Sequence, residues 1–252
     1  MKPFPRWARR LLEGGVLFSP FLAVVAWRWT FLGFWEASYL ALLLLLVPAL
    51  ALAQLPLAHE EEPLPKVPVY LSSGAVILVL GFLGLVLGWR SVGGEAMGLV
   101  RSPWVTTVLW TLILSVAALL VLAHFFVLRR SLGIGESPLL IQLLPKTGRE
   151  KAVFACLSLA AGVGEELAFR GFLVPTLTLL MGSQWGAAIL SSVAFGVLHA
   201  YQGWVGVART AALGLLFAAS LLISGTLWPA ILAHIILDLL AGLVLGEPLV
   251  KE

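Results

Sequence analysis

The chain has 252 residues, of which 60% are hydrophobic and only 12% are charged, and its mean hydropathy is +1.02. This balance excludes an ordinary soluble globular domain. The formal net charge of +3 is small, and the basic residues lie beside predicted helix ends, where they suit anionic lipid headgroups better than nucleic acid. We therefore expect a protein that has the lipid bilayer as a partner and does not bind nucleic acid.

Apolar runs long enough to cross a hydrocarbon core of roughly 30 Å recur along the chain. The predicted spans are 14–33, 37–57, 67–89, 104–128, 152–181, 184–200, 203–223 and 226–246. Continuous apolar runs without period-two alternation indicate helices rather than barrel strands. The predicted fold class is therefore all-α, a polytopic membrane bundle of about eight transmembrane helices.

Basic residues cluster at the N-terminus and in the loop after the fourth span. They are Lys2, Arg6, Arg9 and Arg10, followed by Arg129, Arg130, Lys146, Arg149 and Lys151. Lys and Arg in short loops favour the cytoplasmic side, so we expect both clusters, and the N-terminus, in the cytoplasm. The alanine- and leucine-rich composition and the short loops favour a bacterial inner membrane as the location of this multi-pass protein.

The two halves of the chain differ in character. Residues 1–130 hold about four spans rich in Leu, Val and Trp, whereas ionisable residues within spans gather in residues 152–246. Residues 131–151 lie between them and contain several glycines and prolines, which favour a break. We predict an N-terminal transmembrane region, a cytoplasmic basic loop and a catalytic bundle with these boundaries. Thr147 is expected near the N-cap of the helix that follows the loop.

Ionisable residues inside membrane spans are candidates for function, because a charge at the bilayer centre costs at least about 2.5–3.5 kcal/mol. The second half contains Glu165, Glu166, Arg170, His199, Arg209, His234 and Asp238. Glu166 and Arg170 are four residues apart, so they are expected to pair on one helix face. Glu165 is rotated from Glu166 by about 100°, which leaves it for chemistry.

Two further pairs have the same four-residue spacing on later spans, Phe195 with His199 and His234 with Asp238. Polar groups in lipid need partners, so we expect the three helices to bury these residues against one another. A glutamate beside a neutral histidine can take a proton from water, and a second histidine can hydrogen-bond an oxyanion. The Gly-x-Ser-x-Gly and His-Glu-x-x-His protease signatures are absent from the sequence. The pattern therefore fits peptide-bond hydrolysis without a covalent intermediate.

The three motifs together resemble those of the CPBP family, the membrane-embedded CAAX-processing and bacteriocin-processing proteases. They are Glu165-Glu166-Leu-Ala-Phe-Arg170, Phe195-Gly-Val-Leu-His199 and His234-Ile-Ile-Leu-Asp238, and the resemblance covers about residues 150–245. It implies a helical intramembrane glutamate protease without a metal or other cofactor, in which Glu165 and His199 activate water. His234 and Asp238 would line the oxyanion site, while Glu166, Arg170 and Phe195 would support the architecture.

The resemblance also implies the class of substrate, a membrane-associated protein or peptide cut near its C-terminus or its membrane segment. The chain departs from the prenyl-protein endopeptidase of the family at Asp238, where that enzyme has asparagine. An ionised aspartate would repel an oxyanion. Asp238 is therefore either protonated or orients His234 by accepting a hydrogen bond, and we prefer the second role.

Four other hypotheses stay open at the level of sequence. Glu165, His199 and His234 could instead ligate zinc in a metalloprotease, because imidazole and carboxylate suit that ion. Some family members resemble bacteriocin self-immunity proteins. A proton-coupled transporter also keeps ionisable residues in its spans, although the chain shows no inverted repeat. The motifs could also form a buried polar network that only holds the helices together.

Overall fold

The computed structural model describes residues 6–55 and 64–246, and all regular structure within them is helical. Lys2 of the N-terminal basic cluster, and residues 56 and 57 of the second predicted span, lie outside the described residues. Two short helical turns, Gly93–Ala96 and Ala200–Gln202, are left unnumbered, and the helices of six or more residues are numbered in chain order. They are α1 (Arg6–Trp29), α2 (Phe34–Ala53), α3 (Lys66–Ser91), α4 (Trp104–Ser131), α5 (Pro138–Leu143), α6 (Gly148–Met181), α7 (Gln184–Leu198), α8 (Gly203–Ser224) and α9 (Trp228–Leu245).

Seven of the nine numbered helices, all except α5 and α7, are long and apolar enough to cross a membrane. The prediction of an all-α polytopic membrane bundle is confirmed. The predicted span 184–200 corresponds to α7, a 15-residue apolar helix. At a rise of 1.5 Å per residue α7 is about 22 Å long, shorter than the hydrocarbon core.

The loop between the two halves is partly helical. It contains α5 and ends where α6 begins, at Gly148. Thr147 is the N-cap of α6, as predicted: its hydroxyl accepts the Glu150 backbone N–H, and the Glu150 carboxylate accepts the Thr147 N–H. This reciprocal capping box satisfies two backbone donors that a helix start leaves without partners.

Helix α6 is packed between α3 on one side and α9 on another. A side chain at Gly164 would lie 2.5 Å from the backbone oxygen of Ile77 in α3. One at Gly162 would lie 2.4 Å from the Ile235 side chain in α9. These glycines therefore bring three helices into backbone-level contact, as small residues do in membrane bundles. The first half of the chain thus packs directly on the motif-bearing half through α3.

The first motif lies where α6 changes its winding. Residues Glu166–Leu173 form a π-helical segment between two α-helical stretches of α6. Helix α6 then ends at Met181, and the next residue, Gly182, has a φ of 67° and forms the left-handed C-cap that glycine adopts without strain. Short π segments are frequent at functional sites because they redirect side chains.

Candidate active site

The two adjacent glutamates of the first motif have different surroundings. Glu165 is the last residue before the π-helical segment, and its side chain is 17% exposed. The Glu166 side chain is fully buried, with 0% exposure. The helical rotation between neighbouring residues points one carboxylate into the packed interior and the other toward more open space.

One carboxylate oxygen of Glu166 accepts hydrogen bonds from two side chains, Arg170 and His234. Arg170 donates from Nη1 to Glu166 Oε1 at 3.1 Å, as the four-residue spacing predicts. His234 of α9 donates from Nδ1 to the same Oε1 at 2.8 Å. Glu166 therefore joins the first motif to the third across two packed helices.

The second ring nitrogen of His234 faces the other two carboxylates of the motifs. His234 Nε2 lies 3.7 Å from Glu165 Oε2 and 3.8 Å from Asp238 Oδ2. Both distances are too long for direct hydrogen bonds and suit groups that share a water molecule or a substrate atom. Asp238 has a side chain that is 35% exposed, so this face of the cluster is the more open one.

His199 terminates α7, where it is the C-cap residue. Its Nδ1 lies 3.0 Å from the carbonyl oxygen of Phe195, one turn earlier. An Nδ1–H that donates to this carbonyl leaves a neutral ring with its lone pair on Nε2. Within the described residues no hydrogen bond or ion pair joins His199 to Glu165, so the two side chains predicted to act together are not in direct contact.

Phe195 lies at the centre of the three motifs. The Arg170 guanidinium stands 4.4 Å from the centroid of its ring, and the His199 and His234 rings stand 4.8 and 6.3 Å away. A guanidinium over an aromatic face is attracted by the ring quadrupole, most strongly when water is excluded. Phe195 therefore covers the buried Arg170–Glu166 pair and separates it from His199.

Two aromatic residues of the site carry no recognisable sequence signal. Phe217 of α8 lies 5.4 Å from the His234 ring and 5.7 Å from the Arg170 guanidinium. Tyr201 lies 5.9 Å from the His199 ring. Neither belongs to a four-residue pair of ionisable or polar residues, and an aromatic residue in an apolar span is indistinguishable from ordinary core before the helices are placed.

The three residues considered as zinc ligands do not form a metal cluster in the described chain. No group of three or more His, Cys, Asp or Glu side chains there is arranged to hold one metal ion. Glu165 and His234 approach each other, whereas His199 contacts the Phe195 carbonyl and the neighbouring rings. The metal requirement stays a prediction and is open to direct test.

Comparison with known proteins identifies the part of the chain that carries these residues. Residues 148–240 match a family model described as type II CAAX prenyl endopeptidase Rce1-like. No curated protein and no solved structure matches the chain. The matched segment runs from the first residue of α6 into α9 and contains every residue of the three motifs. The match over residues 148–240 confirms the resemblance to the CPBP family of CAAX-processing proteases that the three motifs predict.

Proposed function

We propose that this integral multi-pass membrane protein is a CAAX-type intramembrane endopeptidase that cleaves a membrane-associated protein or peptide. The observation that supports this most directly is the position of His234. It donates to the buried Glu166 and presents its other nitrogen to Glu165 and Asp238. The family match over the same residues supports the same reaction class. A network with only a structural role would not require a partly exposed carboxylate pair at its edge.

In the proposed reaction Glu165 is the general base. A water molecule held between the Glu165 carboxylate and His199 Nε2 gives its proton to Glu165 while its oxygen attacks the scissile carbonyl carbon. The absence of a direct Glu165–His199 contact in the described residues is compatible with a bridging water. The tetrahedral intermediate then collapses, and the departing amine takes the proton that Glu165 holds. The products are a carboxylic acid and a free amine, and no covalent enzyme intermediate forms.

The proposed oxyanion site is formed by His234. An imidazolium at His234 donates from Nδ1 to Glu166 and keeps an Nε2–H for the carbonyl oxygen that becomes negative. Before substrate binds, a water molecule bridges this nitrogen and Asp238 Oδ2, which lies 3.8 Å away, and so helps to hold the ring in its orientation. Glu166 accepts from His234 Nδ1, Arg170 pairs with Glu166, and neither takes part in proton transfer.

The substrate is proposed to approach from the cytoplasmic side. The N-terminus and the basic loop around residues 129–151 face the cytoplasm in this proposal, because their Lys and Arg residues favour that side. The scissile bond lies near the C-terminus or the membrane segment of the substrate. The division of the chain into residues 1–130, 131–151 and 152–246 belongs to the same proposal, with the last region as the catalytic bundle.

The proposal is tested by identifying substrates in the source cells. Protein termini are compared by mass spectrometry between cells with the chain, without it, and with Glu165→Ala or His199→Ala in its place. We expect new termini in membrane-associated proteins only when the unaltered chain is present. If both variants produce the same new termini as the unaltered chain, the protease proposal is refuted. Chelation with EDTA and readdition of zinc test the metal-free mechanism, which predicts no loss of cleavage.

A further inference from the structure

A buried ionic cluster lies next to the proposed site but outside the three motifs. Glu136, in the loop before α5, has a side chain that is only 9% exposed. Its Oε1 lies 3.3 Å from Nε of Arg129 at the end of α4 and 3.4 Å from Nη1 of Arg209 in α8. One carboxylate thus holds two arginines from two helices that pack together.

The cluster continues toward the turn that follows His199. Arg209 donates from Nη2 to the side-chain oxygen of Gln202 at 2.8 Å. Gln202 in turn donates from Nε2 to the Tyr201 hydroxyl at 3.1 Å. A chain of polar contacts therefore runs from Glu136 through Arg209 and Gln202 to the ring that stands 5.9 Å from the His199 ring.

The loop before α5 also makes a second, direct contact with the turn that follows His199. Ser137, adjacent to Glu136, donates from its hydroxyl to the Tyr201 carbonyl oxygen at 2.6 Å. The turn itself is short: the Gln202 N–H donates to the His199 carbonyl at 2.9 Å, and Gly203, with φ of 79°, reverses the chain into α8. Because this hydrogen bond closes the turn, the positions of Tyr201 and Gln202 constrain the position of His199.

We propose that Glu136 is a positioning residue for His199. Together with Arg209 and Ser137 it fixes the turn 199–202 and so keeps the imidazole at the distance from Glu165 that the bridging water requires. This inference rests on the proposed function for its catalytic consequence. Its structural part, that Glu136 holds the turn, stands independently of the reaction.

The cluster is well placed for such a role because a buried charged network is stiff. Removing the Glu136 charge takes away the counter-charge 3.4 Å from Arg209, whose side chain is only 16% exposed, and such a loss is costly in a poorly solvated place. A displacement of the catalytic group by about 1 Å costs on the order of 10²-fold in rate. A loop outside the matched residues 148–240 would thus control the geometry of a site within them.

The test uses Glu136→Gln, which keeps the size of the side chain and removes its charge. Glu36→Gln is the matched control, because Glu36 is also a buried carboxylate paired with an arginine, Arg90 at 3.6 Å, but in the first half of the chain. The full-length proteins are compared in lipid nanodiscs by amide hydrogen exchange over residues 196–206. Cleavage of an identified substrate is measured in parallel.

We expect Glu136→Gln to raise exchange in residues 196–206 and to lower kcat about tenfold or more, with KM unchanged. Glu36→Gln should change neither quantity, and Glu136→Asp should restore part of kcat. Unchanged exchange in Glu136→Gln, or raised exchange with unchanged kcat, would overturn the inference. If Glu165→Gln retains full activity, the proposed function fails instead, and the exchange result still decides whether Glu136 holds the turn.

Discussion

At the scale of single residues, the two adjacent glutamates are expected to fail in different ways when changed. Glu165→Gln should lower kcat by about 10²–10⁴-fold, because the general base is lost, while the thermal stability stays close to that of the unaltered protein. Its side chain is partly exposed and makes only long contacts. The measurement is cleavage rate together with thermal unfolding in detergent, with Glu13→Gln at an exposed N-terminal ion pair as the control.

Glu166→Gln should instead destabilise the fold. The change removes the counter-charge of Arg170, which is 1% exposed, and removing one member of a buried ion pair typically costs about 3–5 kcal/mol. His234 also loses its charged acceptor. We expect a lower unfolding temperature for Glu166→Gln than for Glu165→Gln. Equal losses of stability in the two variants would show that the division of roles between the glutamates is wrong.

Asp238→Asn tests the role of the third carboxylate. Asparagine keeps an oxygen that can accept from a water molecule bridging to His234 Nε2, as Asp238 Oδ2 can from 3.8 Å away. We expect kcat within about threefold of the unaltered enzyme, whereas Asp238→Leu should lose about 10²-fold because the ring is no longer oriented. A loss as large in the asparagine variant would mean that the negative charge itself is needed.

At the scale of helices, the close contact of α3, α6 and α9 depends on glycine. Gly164→Ala would place a carbon 2.5 Å from the Ile77 backbone oxygen, and overpacking of this kind costs typically about 1–3 kcal/mol. Gly148, at the start of the same helix, has no atom within 4 Å of an added side chain, so Gly148→Ala is the matched control. We expect a lower unfolding temperature for Gly164→Ala only. Equal unfolding temperatures would show that the packing of α3 against α6 does not depend on glycine at position 164.

The sequence predicts where the helices lie along the chain, but it predicts only some of the contacts between their side chains. Apolar runs indicate every long helix, and the Thr147 cap and the Glu166–Arg170 pair follow from local spacing. Contacts between helices are different, because nothing in the spacing of the motifs shows that His234 reaches Glu166 rather than Glu165. The contact of Glu136 with Arg209 could not be predicted from the sequence either. Glu136 is separated by 73 positions from Arg209, and only the packing of α4 against α8 brings them together.

At the scale of the whole molecule, the short helix α7 must return the chain to the side where α6 begins. Its C-terminal turn is bonded to Ser137 in the loop between α4 and α6, which places that turn near the loop. We therefore expect Glu13→Cys and Ser131→Cys to react with impermeant maleimide on the cytoplasmic side. Glu95→Cys and Gln184→Cys should react on the opposite side, all four in a Cys156→Ala background. Labelling of Gln184→Cys and Ser131→Cys from one side would contradict this topology.

The proposed role of Glu165 is to activate the water that cuts a membrane-associated substrate. It is tested most directly with the purified chain in proteoliposomes that contain a substrate found in the source cells. Cleavage is followed by mass spectrometry for the unaltered chain, Glu165→Gln and Glu13→Gln. We expect cleavage by the unaltered chain and by Glu13→Gln, with a loss of at least about 10²-fold for Glu165→Gln in a fully folded protein. Undiminished cleavage by folded Glu165→Gln would contradict the role of Glu165 as the general base.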